Sequence, residues 1–151
     1  MICGEGDILI GRPAAEILEF VLDLPRYARA DTKIRHIRSV ERHGNRGTVR
    51  HGGHLRGLPG PPVTLTFELE PYSRLVFTSA PRGLGRLAFQ FEGSFECDET
   101  PEGTRVVHRE CFRFRGPLRW LMEPYARDWL ARDTREEVGR MKAILEAGSP
   151  Q

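Results

Sequence analysis

The stretch PLRWLMEPYARDWLARDTREEVGRMKAILE, from Pro117 to Glu146, decides the fold. Leu118, Met122, Tyr125 and Trp129 recur at helical spacing. Ala126, Leu130, Val138, Met141 and Leu145 continue the stripe, rotated around the axis. Pro117 opens the segment, where the fixed φ of proline suits a first turn. Pro124 falls between the two phases, so a kink or a restart is expected there. A helix this long spans about 45 Å at 1.5 Å per residue. Its apolar stripe needs a broad surface to cover.

The preceding residues supply that surface. Thr104–Phe114 alternates, with Val106, His108, Glu110, Phe112 and Phe114 on one face and Arg105, Val107, Arg109, Cys111 and Arg113 on the other. Leu87–Asp98 places Leu87, Phe89, Phe91, Phe95 and Cys97 together. Val63–Glu70 does the same for Val63, Leu65, Phe67 and Leu69. Arg74–Ser79, Thr48–Arg56 and Ile34–Arg42 complete six antiparallel strands. They are separated by turn signals at His43–Gly47, Gly57–Pro62, Pro71–Ser73, Ala80–Arg86 and Asp98–Gly103. Asp7–Ile10 is a further short strand. Gly11-Arg12-Pro13 then opens a helix with Ile17, Phe20, Val21 and Leu24 on one stripe, and Pro25 limits Pro25–Ala30 to a second short turn of helix. The class is α+β: a curved antiparallel sheet with one buried face, covered by the long helix. The space between them is the default ligand site.

The 151 residues suit a single domain. Hydrophobic residues at 39% and charged residues at 29% describe a globular chain. No apolar run approaches the ~20 residues of a membrane span. Met1–Ile10 carries Glu5 and Asp7 without a basic start, so no signal peptide is read and the expected compartment is the cytoplasm. Cys3, Cys97 and Cys111 make no disulfide framework by count, and Cys97 and Cys111 are expected as buried thiols. A net charge of +2 argues against a dedicated nucleic-acid binder. The basic residues are nearly all arginine, with Lys33 and Lys142 the two lysines. GC-rich codon usage accounts for much of that bias.

The segment Arg12-Pro13-Ala14-Ala15-Glu16-Ile17-Leu18-Glu19-Phe20-Val21-Leu22-Asp23 and the ending Met141-Lys142-Ala143-Ile144-Leu145-Glu146 resemble the START-like helix-grip superfamily. That superfamily includes the birch-pollen-allergen-like proteins and the bacterial polyketide cyclase/dehydrase group. The resemblance covers nearly the whole chain and implies one domain over residues 1–151, with two short N-terminal helices. It implies a cavity for a small or elongated apolar molecule such as a lipid, polyketide or isoprenoid. It carries over no universal catalytic motif. One departure is the segment Ala30-Asp31-Thr32, where relatives often have a tryptophan.

Parity carries His108 and Glu110 toward the cavity, and it carries His51 inward from Thr48–Arg56 with Val49, Gly53 and Leu55, leaving His54 outward. A histidine beside a carboxylate in an apolar pocket suits proton abstraction next to a carbonyl. His51, His108 and Glu110 are therefore the candidate catalytic residues. Tyr125 is a candidate donor to a developing enolate oxygen. Phe67, Phe89, Phe91, Phe112, Met122, Tyr125 and Trp129 are the candidate ligand contacts.

His51-x-x-His54 puts its two rings on opposite strand faces, so no metal site is expected. Gly83-x-Gly85-x-x-Ala88 precedes a strand instead of a helix, so no dinucleotide is expected. No other cofactor is implied. Arg105, Arg109, Arg113 and Arg115 form an outward strip, partly countered by Glu92 and Glu96.

The favoured reading is a binding module for a small apolar molecule, as a monomer or homodimer. The alternatives are a polyketide cyclase/dehydratase, and a protein-interaction module that holds no ligand.

Overall fold

The computed structural model describes residues 1–80 and 87–148. Its elements run β1 (Ile2–Ile10), α1 (Ala14–Leu22), α2 (Leu24–Tyr27), β2 (Ile34–His43), β3 (Arg46–Leu55), β4 (Leu58–Glu70), β5 (Arg74–Ser79), β6 (Phe89–Thr100), β7 (Gly103–Phe114) and α3 (Pro117–Ala147). The strands pair antiparallel in the order β1-β7-β6-β5-β4-β3-β2. One sheet face holds the alternating apolar residues against the helices. This is the helix-grip arrangement.

The first strand is longer than its apolar alternation announces, because Gly4 and Gly6 interrupt the pattern. Both pair into the β1–β7 ladder, opposite Glu110 and His108. The expected loop at 57–62 is instead mostly strand. Arg56 and Gly57, with φ of 48° and 84°, make a two-residue turn between Leu55 and Leu58. Positive φ at both central residues matches the twist of a hairpin. Pro59, Pro61 and Pro62 then lie in β4 before β5 pairs with it at Leu65. Among the described residues the strand has one neighbour there, so the missing N–H groups break no second ladder. Of the expected loop at 80–86, residues 81–86 lie outside the described residues.

The long helix α3 continues through Pro124 without a restart. Toward its C-terminal end Val138, Met141 and Leu145 pack with Phe20, Phe67 and Phe95 in the main core. Toward its start Ala126 and Leu130 meet Ile2, Phe112 and Phe114 in a smaller cluster. No helix among the described residues is long and apolar enough to cross a membrane.

The cysteine expectation is corrected. Cys3 and Cys111 face each other across β1 and β7 and form a disulfide on the outer face of the sheet. Counting cysteines could not show that register. Cys97 stays free and half-buried, and burial pushes its thiol up to about 11.

Candidate ligand-binding site

Between α3 and the sheet lies a cavity of about 240 Å³. Its walls are apolar, with Val49, Val63, Phe89, Phe91, Phe112 and Met122 among them. The lining residues that solvent also reaches, Leu58, Pro59 and Gly60 with the half-buried Leu118, mark its mouth. The buried ones, Tyr27, Asp31, Lys33, His108 and Glu110, mark its floor.

The floor is built from β7, β1 and α3 together. Alternation in β7 turns His108 and Glu110 inward. Their β1 partners are glycines, which lets α3 approach closely. A Cβ on Gly4 would stand 2.2 Å from Thr134 Oγ1 and 2.7 Å from the Leu130 carbonyl oxygen. One on Gly6 would stand 2.7 Å from the Thr134 carbonyl oxygen. Thr134 thereby donates a hydrogen bond to Glu110 Oε1 at 3.0 Å. Glu137, one turn on, reaches His108.

Lys33, from the segment between α2 and β2, neutralises this floor. Its Nζ lies 2.8 Å from Asp31 Oδ1, 3.0 Å from Glu110 Oε1, 3.1 Å from Asp133 Oδ2 and 3.0 Å from Glu137 Oε2. Arg140 holds the other oxygen of Asp133 at 3.0 Å. The Tyr27 hydroxyl donates to Glu137 Oε1. His108 stacks on Phe95 with ring centroids 4.0 Å apart, and its Nδ1 lies 2.9 Å from the Ser94 carbonyl oxygen. Its Nε2 is 3.3 Å from Glu137 Oε1 and 3.8 Å from Glu110 Oε2, buried and, among the described residues, without a hydrogen bond of good geometry.

Four carboxylates thus face Lys33, Arg140 and His108. Three positive charges against four negative ones leave room for one more proton. Burial pushes the Glu110 carboxyl up to about 7; the Lys33 ammonium opposes the rise and the Glu137 charge adds to it. Burial pulls His108 down, but the charges of Glu137 and Glu110 outweigh it and set it at about 9. Burial opposes the charge on Glu137, yet Lys33 and His108 hold its carboxyl far below the ordinary range. Lys33 sits well above its ordinary value because the four carboxylates overcome its burial. Near neutral pH the floor therefore presents a charged imidazole beside a carboxyl that exchanges its proton.

The structure brings His108 and Glu110 together. His51 lines the cavity from β3, with Nδ1 2.8 Å from the Gly52 carbonyl oxygen, apart from the floor network. His54 also lines the cavity, against the expected parity. The pairing is irregular there, with the step from Gly52 to His54 in β3 set against the longer step from Pro62 to Pro59 in β4. Phe89, Phe91, Phe112 and Met122 line the walls. Three expected contacts do not. Phe67 is fully buried in the main core, where it packs on Phe77. Tyr125 turns to the β3–β4 hairpin, and its hydroxyl donates to the Arg56 carbonyl oxygen at 2.8 Å. Trp129 packs against the smaller cluster.

Sequence reasoning missed Tyr27, Asp31, Lys33, Asp133 and Glu137. A signal was present, since Asp133 and Glu137 stand four apart beside the Leu130–Val138–Met141 stripe. Lys33 is also one of two lysines in an arginine-rich chain. His108, Glu110 and Glu137 offer donor atoms within 4.8 Å of one another, a spacing that can hold a metal ion. The Lys33 ammonium, 3.0 Å from one oxygen of each carboxylate, already places a positive charge against this trio.

Solved structures share this fold. The Zhui aromatase/cyclase from Streptomyces sp. R1128 superposes with a TM-score of 0.76 at 16% identity, covering 98% of each chain. TTHA0849 from Thermus thermophilus gives 0.71 at 20% identity, covering 97% of this chain and 99% of that one. DR_A0006 from Deinococcus radiodurans gives 0.61 at 23% identity, with the same coverage. At these identities the likeness establishes the fold. No curated protein sequence matches the chain. Residues 1–146 match the family described as polyketide cyclase / dehydrase and lipid transport. With that match over nearly its whole length and the helix grip beneath it, the chain belongs to the polyketide cyclase / dehydrase and lipid transport family.

Proposed function

We propose that the protein binds a small, largely apolar molecule with one polar end, of the lipid, polyketide or isoprenoid kind. The observation that carries this is an apolar-walled cavity ending on a buried ionisable floor. The walls supply affinity, and Glu110 and His108 orient the polar end. A carbonyl or hydroxyl oxygen suits that floor, because a protonated Glu110 donates to it. The test is native mass spectrometry of protein purified from its own host, with extraction of the bound molecule. A retained apolar compound is the expected result. An empty protein that also takes up no apolar dye overturns the proposal.

A second reading is acid–base turnover of such a molecule. Its support is the pairing of Glu110 with His108, a proton donor and acceptor on one floor at working pH. A β-hydroxy ketone on this floor would give its α-proton to the Glu110 carboxylate while the His108 imidazolium protonates the leaving β-hydroxyl, so that water departs and a conjugated enone remains. His108→Ala or Glu110→Gln abolishes product formation under this reading and only weakens binding under the first. We place the protein in the cytoplasm as a monomer or homodimer that engages no nucleic acid.

A further inference from the structure

Large apolar side chains gather, exposed, around the cavity mouth. Trp120 is 80% exposed and Leu121 68%, on the first turns of α3 beside the lining residues Leu118 and Met122. Leu58, 47% exposed, sits at the tip of the β3–β4 hairpin, and Leu87, 73% exposed, leads into the lining residues Ala88 and Phe89. These positions form one rim. Tyr125 clamps the hairpin to α3 through the Arg56 carbonyl oxygen, and the Arg56 guanidinium lies 4.7 Å over its ring. Leu121 stands four residues before Tyr125, on the same helix face, so it flanks the hairpin tip that carries Leu58.

The segments that frame the mouth are basic. The mouth segments, residues 55–62, 87–91 and 113–122, hold Arg56, Arg113, Arg115 and Arg119 and no carboxylate. The whole chain has a net charge of only +2, so the rest of the molecule is net negative. Among the described residues Arg119 has one ion-pair partner, Glu123 at 3.8 Å, which Arg127 and the N-terminal amine share. An exposed tryptophan, exposed leucines and a ring of arginines combine the two attractions that hold a protein on an anionic bilayer. An acidic protein partner would answer the arginines but leave the exposed Trp120 and Leu121 unexplained.

We infer that the mouth end of the fold docks on an anionic lipid surface. Trp120, Leu121 and Leu58 enter the interface, and Arg56, Arg113, Arg115 and Arg119 meet the headgroups. The docking rests on the surface alone. That an apolar ligand passes directly between bilayer and cavity rests on the binding function proposed above.

The test is flotation of the full chain with vesicles of phosphatidylcholine alone and of phosphatidylcholine with phosphatidylglycerol. Binding is expected to the anionic vesicles and to weaken with salt. Arg115→Glu with Arg119→Glu is expected to lower binding about 30-fold or more, at roughly a factor of five per basic residue. Leu121→Asp is expected to lower it as well. Both substitutions are on exposed side chains, and circular dichroism checks the fold. In a Trp129→Phe background Trp120 is the single tryptophan, and its emission is expected to shift blue on anionic vesicles. Apolar dye uptake without vesicles is measured in parallel. Dye uptake with no vesicle binding overturns the docking and leaves the cavity function standing. Vesicle binding without dye uptake does the reverse. Capture of an acidic carrier protein by the arginines, with no vesicle binding, also overturns the docking.

Discussion

At the residue scale the decisive group is Lys33, because four buried carboxylates converge on its ammonium. Removing one partner from such a set leaves uncompensated charge in low dielectric. Lys33→Met is therefore expected to cost about 3–5 kcal/mol, read from urea unfolding. A loss within experimental error would mean that the carboxylates are already neutral. The same floor makes stability depend on pH. Glu110 rises from 4.5 to about 7 and His108 from 6.5 to about 9, so the folded protein keeps two protons that the unfolded chain releases earlier. Their stabilisation is complete below the unfolded values and fades as pH climbs through about 7 and then about 9. Glu137 works oppositely, and its contribution is lost in strong acid. The unfolding midpoint is expected to fall from mildly acidic toward alkaline pH. Glu110→Gln keeps an uncharged group facing Lys33 and Thr134, so the variant is expected to lose less stability than wild type across neutrality. Calorimetry at several pH values checks both, and a midpoint rising toward alkaline pH contradicts the assignment.

At the element scale the helix depends on two missing side chains. Gly4 and Gly6 let α3 lie directly on β1, and the closest contacts there include backbone oxygens that cannot rotate away. Gly4→Ala is expected to destabilise by about 1–3 kcal/mol, the usual cost of overpacking. It is also expected to part Thr134 from Glu110, which a changed pH profile would report. An unchanged midpoint would place the helix farther from β1. This closeness was not legible in the sequence, because glycine breaks the alternation that marks a strand. The strand faces themselves were legible. Alternation in β7 turned His108 and Glu110 inward, while Arg105, Arg109 and Arg113 went outward. The reading failed where register changed: His54 lines the cavity opposite a bulge in β4, and the proline-rich start of β4 paired as strand. It failed again at Asp31 and Lys33, which belong to no periodic segment. Asp31 lies in the segment Ala30-Asp31-Thr32 that the sequence reading singled out, yet nothing in its spacing announced a buried ion pair with Lys33.

At the scale of the whole molecule the question is why the space between sheet and helix stays open. A void of about 240 Å³ dug from a packed core would cost on the order of 6 kcal/mol at ~24 cal/mol per Å³. Water entering through the mouth makes that an upper bound. It is still large beside the roughly 5–15 kcal/mol that holds a domain together. A sequence under pressure for stability alone would fill the space with larger wall residues, and aromatic residues already stand nearby. Val63→Phe tests this. Val63 lies on the cavity wall in β4, nearly buried, and a phenyl ring at that position points into the open volume. If the cavity serves a ligand, the variant is expected to unfold at the same or a higher temperature while uptake of an apolar dye weakens at least tenfold. Stability and function would then move in opposite directions, as they do where a site is kept open for use. The contrary result, a lower unfolding temperature with dye uptake intact, would mean that the wall at Val63 is already close-packed. The dye would then sit elsewhere, and the exposed rim of Leu58, Trp120 and Leu121 would be the next place to look.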